Sequence, residues 1–163
     1  MVSNFKVQSF LRELLINGLE NLKTSETSVS GYTEPIKVFW SNVSETRNSE
    51  IPVNTRGVYI REFFTPSREF SYSRSFQTGN GFWRILVYDD PNTGNRLMGI
   101  TDDIVEIFAL GTYIIEESTN ERTLLVIDDI DFDNIRYDRD VNKYYSVIDV
   151  NFRKVKERWN SNH

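Results

Sequence analysis

Aspartate is the residue type whose spacing in this sequence comes nearest to a chemical motif. Six aspartates fall within thirteen residues: Asp128, Asp129, Asp131, Asp133, Asp138 and Asp140. Clustered carboxylates are the ligands that calcium prefers. Read as an EF-hand loop that begins at Asp129, the segment has Asn134 where the turn glycine belongs and Asp140 where a bidentate glutamate belongs. Calcium binding is therefore the weaker of two interpretations.

The stronger interpretation is an exposed acidic strand and turn. Ile130 and Phe132 alternate with the aspartates, so they are predicted to point into a core while Asp129, Asp131 and Asp133 project from the opposite face. Three carboxylates on one face create a local negative field. We predict an acidic surface that holds no metal and keeps nucleic acid from adhering.

The chain lacks the residue types on which many catalytic and metal sites depend. It contains no cysteine, and its one histidine is His163. This composition excludes Cys–His pairs, Ser–His–Asp triads, zinc fingers and multi-histidine metal centres. No Walker A, GxGxxG or GxSxG pattern occurs. We expect a protein that is not an enzyme and that holds no cofactor.

A small metal-dependent nuclease is the enzyme alternative, because it needs carboxylates for divalent ions and often a lysine. Common nuclease cores carry an acid-x-Lys triplet on a strand, and the sequence contains none. The nearest segment, Glu34-Pro35-Ile36-Lys37, has one residue too many and a proline. The net charge of −5 also argues against a protein that clamps nucleic acid phosphates.

Length and composition predict one globular domain over residues 1–163. The chain is 39% hydrophobic and 13% aromatic, which is enough apolar material for a core without disulfides. The first six residues show no basic region followed by an apolar run, so we predict no membrane span and synthesis in the cytoplasm.

Two helices are predicted from apolar residues that recur at helical spacing. The first covers residues 5–22, and its stripe consists of Phe10, Leu11, Leu14, Leu15, Gly18, Leu19 and Leu22. The second, central helix covers residues 97–108 and ends before Gly111.

Strands are predicted from β-branched and aromatic runs at residues 36–40, 57–65, 70–77, 82–88, 112–117, 122–130 and 144–152. Thr78-Gly79-Asn80-Gly81 predicts a hairpin turn, and Pro66 a strand end. A mobile loop is predicted near residues 41–56 and a frayed, solubilising end near 156–163. The fold class predicted is α+β, an antiparallel or mixed sheet of about six strands packed against an N-terminal helix and a second central helix.

An aromatic and arginine-rich region provides candidate interface residues. Arg61, Phe63, Phe64 and Tyr72 have the composition found at the centres of protein interfaces. The alternative is that most of these aromatics are core residues of strands.

The predicted helices, strands and loops follow an order that can be compared with a known family over nearly the whole chain. It comprises a leucine-rich helix, a long polar loop after Trp40, the segment Gly81–Asp89, the helix Leu97–Phe108 and the final strand Tyr144–Phe152. This order resembles the tail-terminator, or tail-completion, proteins of long-tailed bacteriophages. Alternatives are another virion connector or minor structural protein.

The resemblance implies an α+β protein without catalytic residues that forms a ring, hexameric in that family. Such a ring caps the tail tube, stops its polymerisation and provides the surface onto which the head docks. The implied partners are copies of the chain itself, the tail tube protein, a head-completion or connector protein, and DNA that passes through the lumen without specific binding. The implied location is the head-proximal end of the virion tail. Asp129, Asp131 and Asp133 are candidates for the lumen surface.

Overall fold

The computed structural model describes residues 4–40, 56–71, 76–108, 111–118 and 121–158. Helix α1 is Asn4–Leu22 and helix α2 is Arg96–Ile107. The strands are β1 (Lys37–Phe39), β2 (Tyr59–Ser71), β3 (Phe76–Asp89), β4 (Gly111–Ser118), β5 (Glu121–Phe132), β6 (Arg136–Asp138) and β7 (Lys143–Arg158).

The strands form one mixed sheet in the order β1-β2-β3-β7-β5-β4, with β6 pairing with β7. β1 runs parallel to β2, and the other pairs are antiparallel. β3 and β7 are paired from Phe76 opposite Glu157 to Asp89 opposite Tyr144. The two helices contact each other and the sheet. The predicted α+β class, with two helices packed on a mixed sheet, is confirmed.

The core lies between the helices and one face of the sheet. Alternate residues of the central strands point toward the helices and are buried: Trp83, Ile85 and Val87 on β3, and Ile148, Val150 and Phe152 on β7. Each buried apolar side chain contributes about 1.5 to 3 kcal/mol relative to exposure, so this layer holds the helices on the sheet.

The predicted stripe of α1 meets this layer. Leu11, Leu15 and Leu19 are buried, and Phe10, Leu14 and Leu22 pack at its margin. Gly18 lies where α1 crosses α2, because a Cβ built there would come within 2.5 Å of Ile107 Cγ2. The glycine therefore permits close approach of the two helices.

Two buried aspartates tie α2 to its surroundings. Asp89, at the end of β3, accepts hydrogen bonds from the Arg96 guanidinium and the Thr93 hydroxyl, which fixes the start of the helix. Asp103 accepts hydrogen bonds from Ser28, Val29 and Ser30, including both backbone N–H groups of Val29 and Ser30. The connection after α1 is thereby held against α2.

The predicted turn at residues 78–81 is wrong. Thr78 to Gly81 lie within β3, where they pair with β2 on one side and β7 on the other. Gly79 is buried between Glu69 and Lys154, so two ladders satisfy its backbone groups and keep it extended. β2 ends at Ser71, which pairs with Gln77 of β3. The predicted strand 70–77 therefore divides between the end of β2 and the start of β3, and β3 continues unbroken through the predicted strand 82–88.

The predicted strand end at Pro66 is also wrong, since β2 continues to Ser71. The register shifts between Thr65 and Arg68, and such an irregularity accommodates a proline that cannot donate a ladder hydrogen bond.

The predicted frayed, solubilising end is wrong for residues 156–158. β7 continues to Arg158 as a central strand, paired with β3 and β5. Lys154 and Lys156 are buried, so this end of β7 does not act as a solubilising tail. Residues 159–163 lie outside the described part of the chain, as do residues 41–55 of the predicted mobile loop.

Gly18→Ala is expected to lower the melting temperature. Its Cβ would collide with Ile107, and a β-branched side chain in a helix has little rotamer freedom with which to move away. Overpacking of this kind costs about 1 to 3 kcal/mol, against a gain of about 1 kcal/mol in helix propensity. Asn17→Ala, at an exposed neighbouring position, is the control. An unchanged or raised melting temperature for Gly18→Ala would contradict this helix crossing.

Asp103→Asn is expected to destabilise the fold at neutral pH by about 1 to 3 kcal/mol, measured by urea unfolding. Burial raises the pKa of Asp103, but hydrogen bonds from Ser30, Val29 and Ser28 outweigh burial and lower the pKa below its usual value. A carboxyl with a depressed folded pKa stabilises above its unfolded pKa, about 4, and loses that contribution as pH falls through the folded pKa.

The Asn variant should therefore lose less stability than the parent below about pH 4. Asp102→Asn, one residue earlier on α2, serves as the control. If the free energies of unfolding of the parent and of Asp103→Asn fall in parallel as the pH is lowered, the anchoring role is contradicted.

Candidate functional site

The aspartate cluster lies along an open edge of the sheet. β4 pairs with β5 only as far as Gly111 opposite Ile127. Beyond that point, Asp128–Phe132 and β6 have no described strand on the side away from β7. We call residues 128–140 the acidic edge, because they contain six aspartates and two arginines. Its net charge of −4 compares with −5 for the whole chain.

A register shift between Ile127 and Asp129 determines which side chains of the acidic edge lie on which face of the sheet. Asp129 and Asp131 lie opposite Asn151 and Asp149, on the sheet face away from the helices. Both aspartates and Asp133 are exposed, as the alternation predicts.

Phe132 differs from its predicted inward position. It lies opposite Ile148, which faces the helices, yet the Phe132 side chain is 60% exposed. β5 extends past the helix layer at this end. Ile130 does pack against the core, as predicted.

Several carboxylates here are paired with arginine. Asp128 receives two hydrogen bonds from Arg153, at 2.8 and 2.9 Å, which raise the pKa of Arg153 above its usual value. Asp149 receives two from Arg84, both at 2.8 Å. Exposed pairs of this kind contribute about 0 to 1 kcal/mol, so they organise the surface more than they stabilise the fold.

Asp129 and Asp131 have neutral partners in the described structure. Asp129 accepts the Ile130 N–H at 2.9 Å, and Asp131 accepts the Asn151 side-chain amide at 3.3 Å. Within the described ranges, no group of three or more acidic or histidine side chains could hold a metal ion. The aspartate segment is strand, short connection and strand, which does not favour the EF-hand alternative.

Tyrosines form a row across the sheet face away from the helices. Tyr59, Tyr88 and Tyr145 lie opposite one another on β2, β3 and β7, with successive ring centroids 4.7 and 5.3 Å apart. Burial raises the pKa of Tyr59 and of Tyr88 above the usual tyrosine value. Tyr59 and Tyr88 are buried, so the row packs the strands together at this end of the face.

The candidate interface residues do not share one surface. Phe63 is 44% exposed on the face away from the helices, and Arg61 lies over its ring at 5.5 Å. Phe64 faces the helices and stacks on Phe152 with ring centroids 6.0 Å apart. Tyr72 lies outside the described residues.

Sequence reasoning missed Glu62, a carboxylate that is 2% exposed on the helix-facing side of β2. Its oxygens accept hydrogen bonds from Gln8 Nε2 at 2.8 Å, Trp83 Nε1 at 2.8 Å and the Arg12 guanidinium at 2.7 to 3.0 Å. The available signal was the alternation Ile60, Glu62, Phe64, which places a glutamate at an inward position. Glu62 thereby links Gln8 and Arg12 of α1 to Trp83 of β3, so the cluster anchors α1.

A cavity of about 80 Å³ lies between α1, α2 and the segment that precedes β1. Leu19, Tyr32, Ile36 and Ile104 are among its lining residues. This volume holds a few water molecules and is much smaller than ordinary ligand pockets.

Neither described helix is long and apolar enough to cross a membrane.

Calcium is expected to leave the melting temperature of the parent protein unchanged. An ion that binds only the folded state raises that temperature, and Asp129, Asp131 and Asp133 show no such ligand geometry. The triple variant Asp129→Asn/Asp131→Asn/Asp133→Asn should fold and respond in the same way. A calcium-dependent rise that the triple variant abolishes would establish a metal site.

Comparison with known proteins leaves the family open. No family model matches the chain, and no curated protein matches it. Among solved structures, one whose name states no function covers 92% of this chain and 98% of its own, at 13% identity and a TM-score of 0.47. A similarity of that degree carries no argument about function.

Proposed function

We propose that this chain is a virion structural protein that forms a ring, caps the tail tube of a long-tailed bacteriophage, stops its polymerisation and provides the head-docking surface. The starting point is the order of helices and strands that resembles the tail-terminator proteins. The two helices and the final strand of that comparison are present as α1, α2 and β7.

The observation that carries the proposal is the pair of unlike open edges of the sheet. Among the described strands, β1 ends the strand order on one side, and β4 with the acidic edge ends it on the other. Open edges present unpaired N–H and C=O groups that readily bind another strand. A contact between unlike surfaces is heterologous, joins copies head to tail and closes into a ring when the rotation permits.

The sheet face away from the helices supports contacts with the tube and head proteins. It exposes Phe63 beside Arg61, and Arg84 beside Phe82 at 5.8 Å. Aromatic and arginine side chains are enriched at the centres of interfaces. The net charge of −5 supports passage of DNA through the lumen without specific binding.

The alternative functions differ in what they require. Another virion connector or minor structural protein would also assemble but would not end tube growth. A metal-dependent nuclease needs carboxylates grouped around divalent ions, and none are so grouped within the described ranges.

The purified chain is expected to form annular particles, either alone or on tail-tube polymers of the same phage. Light scattering gives the particle mass, electron microscopy the annular shape, and tube length in the presence of the chain reports termination. A stable monomer that neither binds tubes nor limits their length would refute the proposal. Rings that leave tube growth unchanged would favour another connector, and metal-dependent DNA cleavage would favour the nuclease.

A further inference from the structure

The backbone of the acidic edge is open on the side away from β7. The N–H of Asp133 donates to the Val147 carbonyl of β7 at 2.9 Å. Because hydrogen-bonded and non-hydrogen-bonded pairs alternate in an antiparallel ladder, Ile130 and Phe132 direct their backbone N–H and C=O groups away from β7. No described strand pairs with them on that side. The side chains of residues 131–137 are all exposed, so this part of the edge faces solvent.

A carboxylate accepts the outward N–H of Ile130. Asp129 binds this N–H at 2.9 Å, where the carbonyl of a neighbouring strand would otherwise lie. The described partner of Asp131 is the Asn151 side-chain amide, at 3.3 Å. A strand added to the edge would supply a carbonyl to Ile130 and release the Asp129 carboxylate. Asp129 and Asp131 could then both accept hydrogen bonds from cations of that strand.

The charge of the acidic edge selects a basic partner. Residues 128–140 contain six aspartates and two arginines. Arg153 pairs with Asp128 from β7, so six carboxylates are balanced by three guanidinium groups in all. Opposite charges across an interface attract, and like charges oppose association. A second copy of this edge is therefore a poor partner, and a positively charged strand is a good one.

The helix-facing side of the acidic edge is apolar and exposed. Phe132 is 60% exposed, and Tyr137 lies opposite Tyr144, with 46% and 42% of these two side chains exposed. Beside them is a recess of about 270 Å³ whose lining includes Ile135, Tyr144 and Leu97 of α2. This volume is below that of ordinary ligand pockets and suits a side chain of a partner. Exposed apolar patches of this kind mark interaction surfaces.

We propose that the acidic edge binds an extended basic segment of another protein, which adds to the sheet as a further strand. The backbone of the segment pairs with Ile130 and Phe132. Because side chains alternate along a strand, its lysine or arginine side chains meet Asp129 and Asp131 on one face. Its apolar side chains contact Phe132 and the recess on the other face. The site goes beyond the proposed ring, since β4 remains for contacts between copies. It assigns Asp129 and Asp131 to protein binding in place of the lumen surface predicted from sequence.

A synthetic peptide tests the site without an assembled ring. The probe is fluorescein-labelled Lys-Val-Lys-Val-Lys-Val-Lys, in which cations alternate with apolar side chains. Fluorescence anisotropy should show saturable binding to the full chain. The peptide Lys-Lys-Lys-Val-Val-Val-Lys has the same composition and charge, but its cations cannot all lie on one face of a strand. It should bind at least about tenfold more weakly.

Variants of the exposed side chains test each face of the site. Asp129→Asn/Asp131→Asn should raise the Kd of the alternating peptide at least about tenfold, because its cations lose their acceptors. Phe132→Ser should raise the Kd at least about threefold, because the ring no longer contacts the apolar side chains. The matched control, Glu13→Gln/Glu106→Gln, removes two carboxylates at exposed positions of α1 and α2 and should bind like the parent. Unchanged thermal melting would show that each variant folds.

Amide hydrogen exchange distinguishes strand addition from attraction of charge alone. In the complex with the alternating peptide, the amide protons of Ile130 and Phe132 should exchange at least about tenfold more slowly, because they then donate to the peptide. Absence of binding, equal binding of the two peptides, binding that the double Asn variant leaves unchanged, or unprotected amides would each overturn the proposal. Self-association of the parent that Phe132→Ser abolishes would assign the edge to a second copy and would also overturn it.

Discussion

The layered structure depends on the hydrogen bonds that one carboxylate accepts beneath α1. Glu62 faces the helices from β2 and accepts hydrogen bonds from Gln8 and Arg12 of α1 and from Trp83 of β3. Removing one partner of a buried charge pair costs about 3 to 5 kcal/mol, because the remaining charge has lost its compensation. Apolar burial is non-directional, whereas the hydrogen bonds of this cluster fix one position of α1 over β2 and β3. Arg12 also stacks on Trp40, which extends the anchor to the end of β1.

Both helices lie on one face of the sheet, and the other face is exposed only in part. On that face a tyrosine row is buried at one end, whereas the arginine–aspartate pairs along the centre are exposed. β7 is flanked by β3 and β5 over most of its length, so its backbone groups are satisfied. The unsatisfied backbone groups of the described sheet are therefore concentrated at its two ends, where the proposed subunit contacts lie.

Some elements could be predicted because their signal is local. The stripe of α1 and that of α2 follow from helical spacing, and the β4–β5 hairpin follows from two β-rich runs around residues 118–120. The prediction of a turn at residues 78–81 is wrong because contacts with distant segments decide the structure there. Gly79 and Gly81 favour a turn when read alone, but in β3 they lie between two strands whose ladders hold them extended. The burial of Lys154 was equally unpredictable, because it depends on what packs around β7.

The sequence by itself determined the composition of the sites and the fold class. Absence of cysteine and confinement of histidine to His163 excluded whole groups of chemistry, and periodicity indicated two helices on a sheet. Only the tertiary structure decided that Glu62 is buried among donors, that Phe132 is exposed, and that the aspartates lie along an edge of the sheet where no described strand pairs on the outer side. The physical reason is that periodicity reports which residues share a face. Strand order and helix coverage, which arise from contacts between distant segments, decide whether that face is covered.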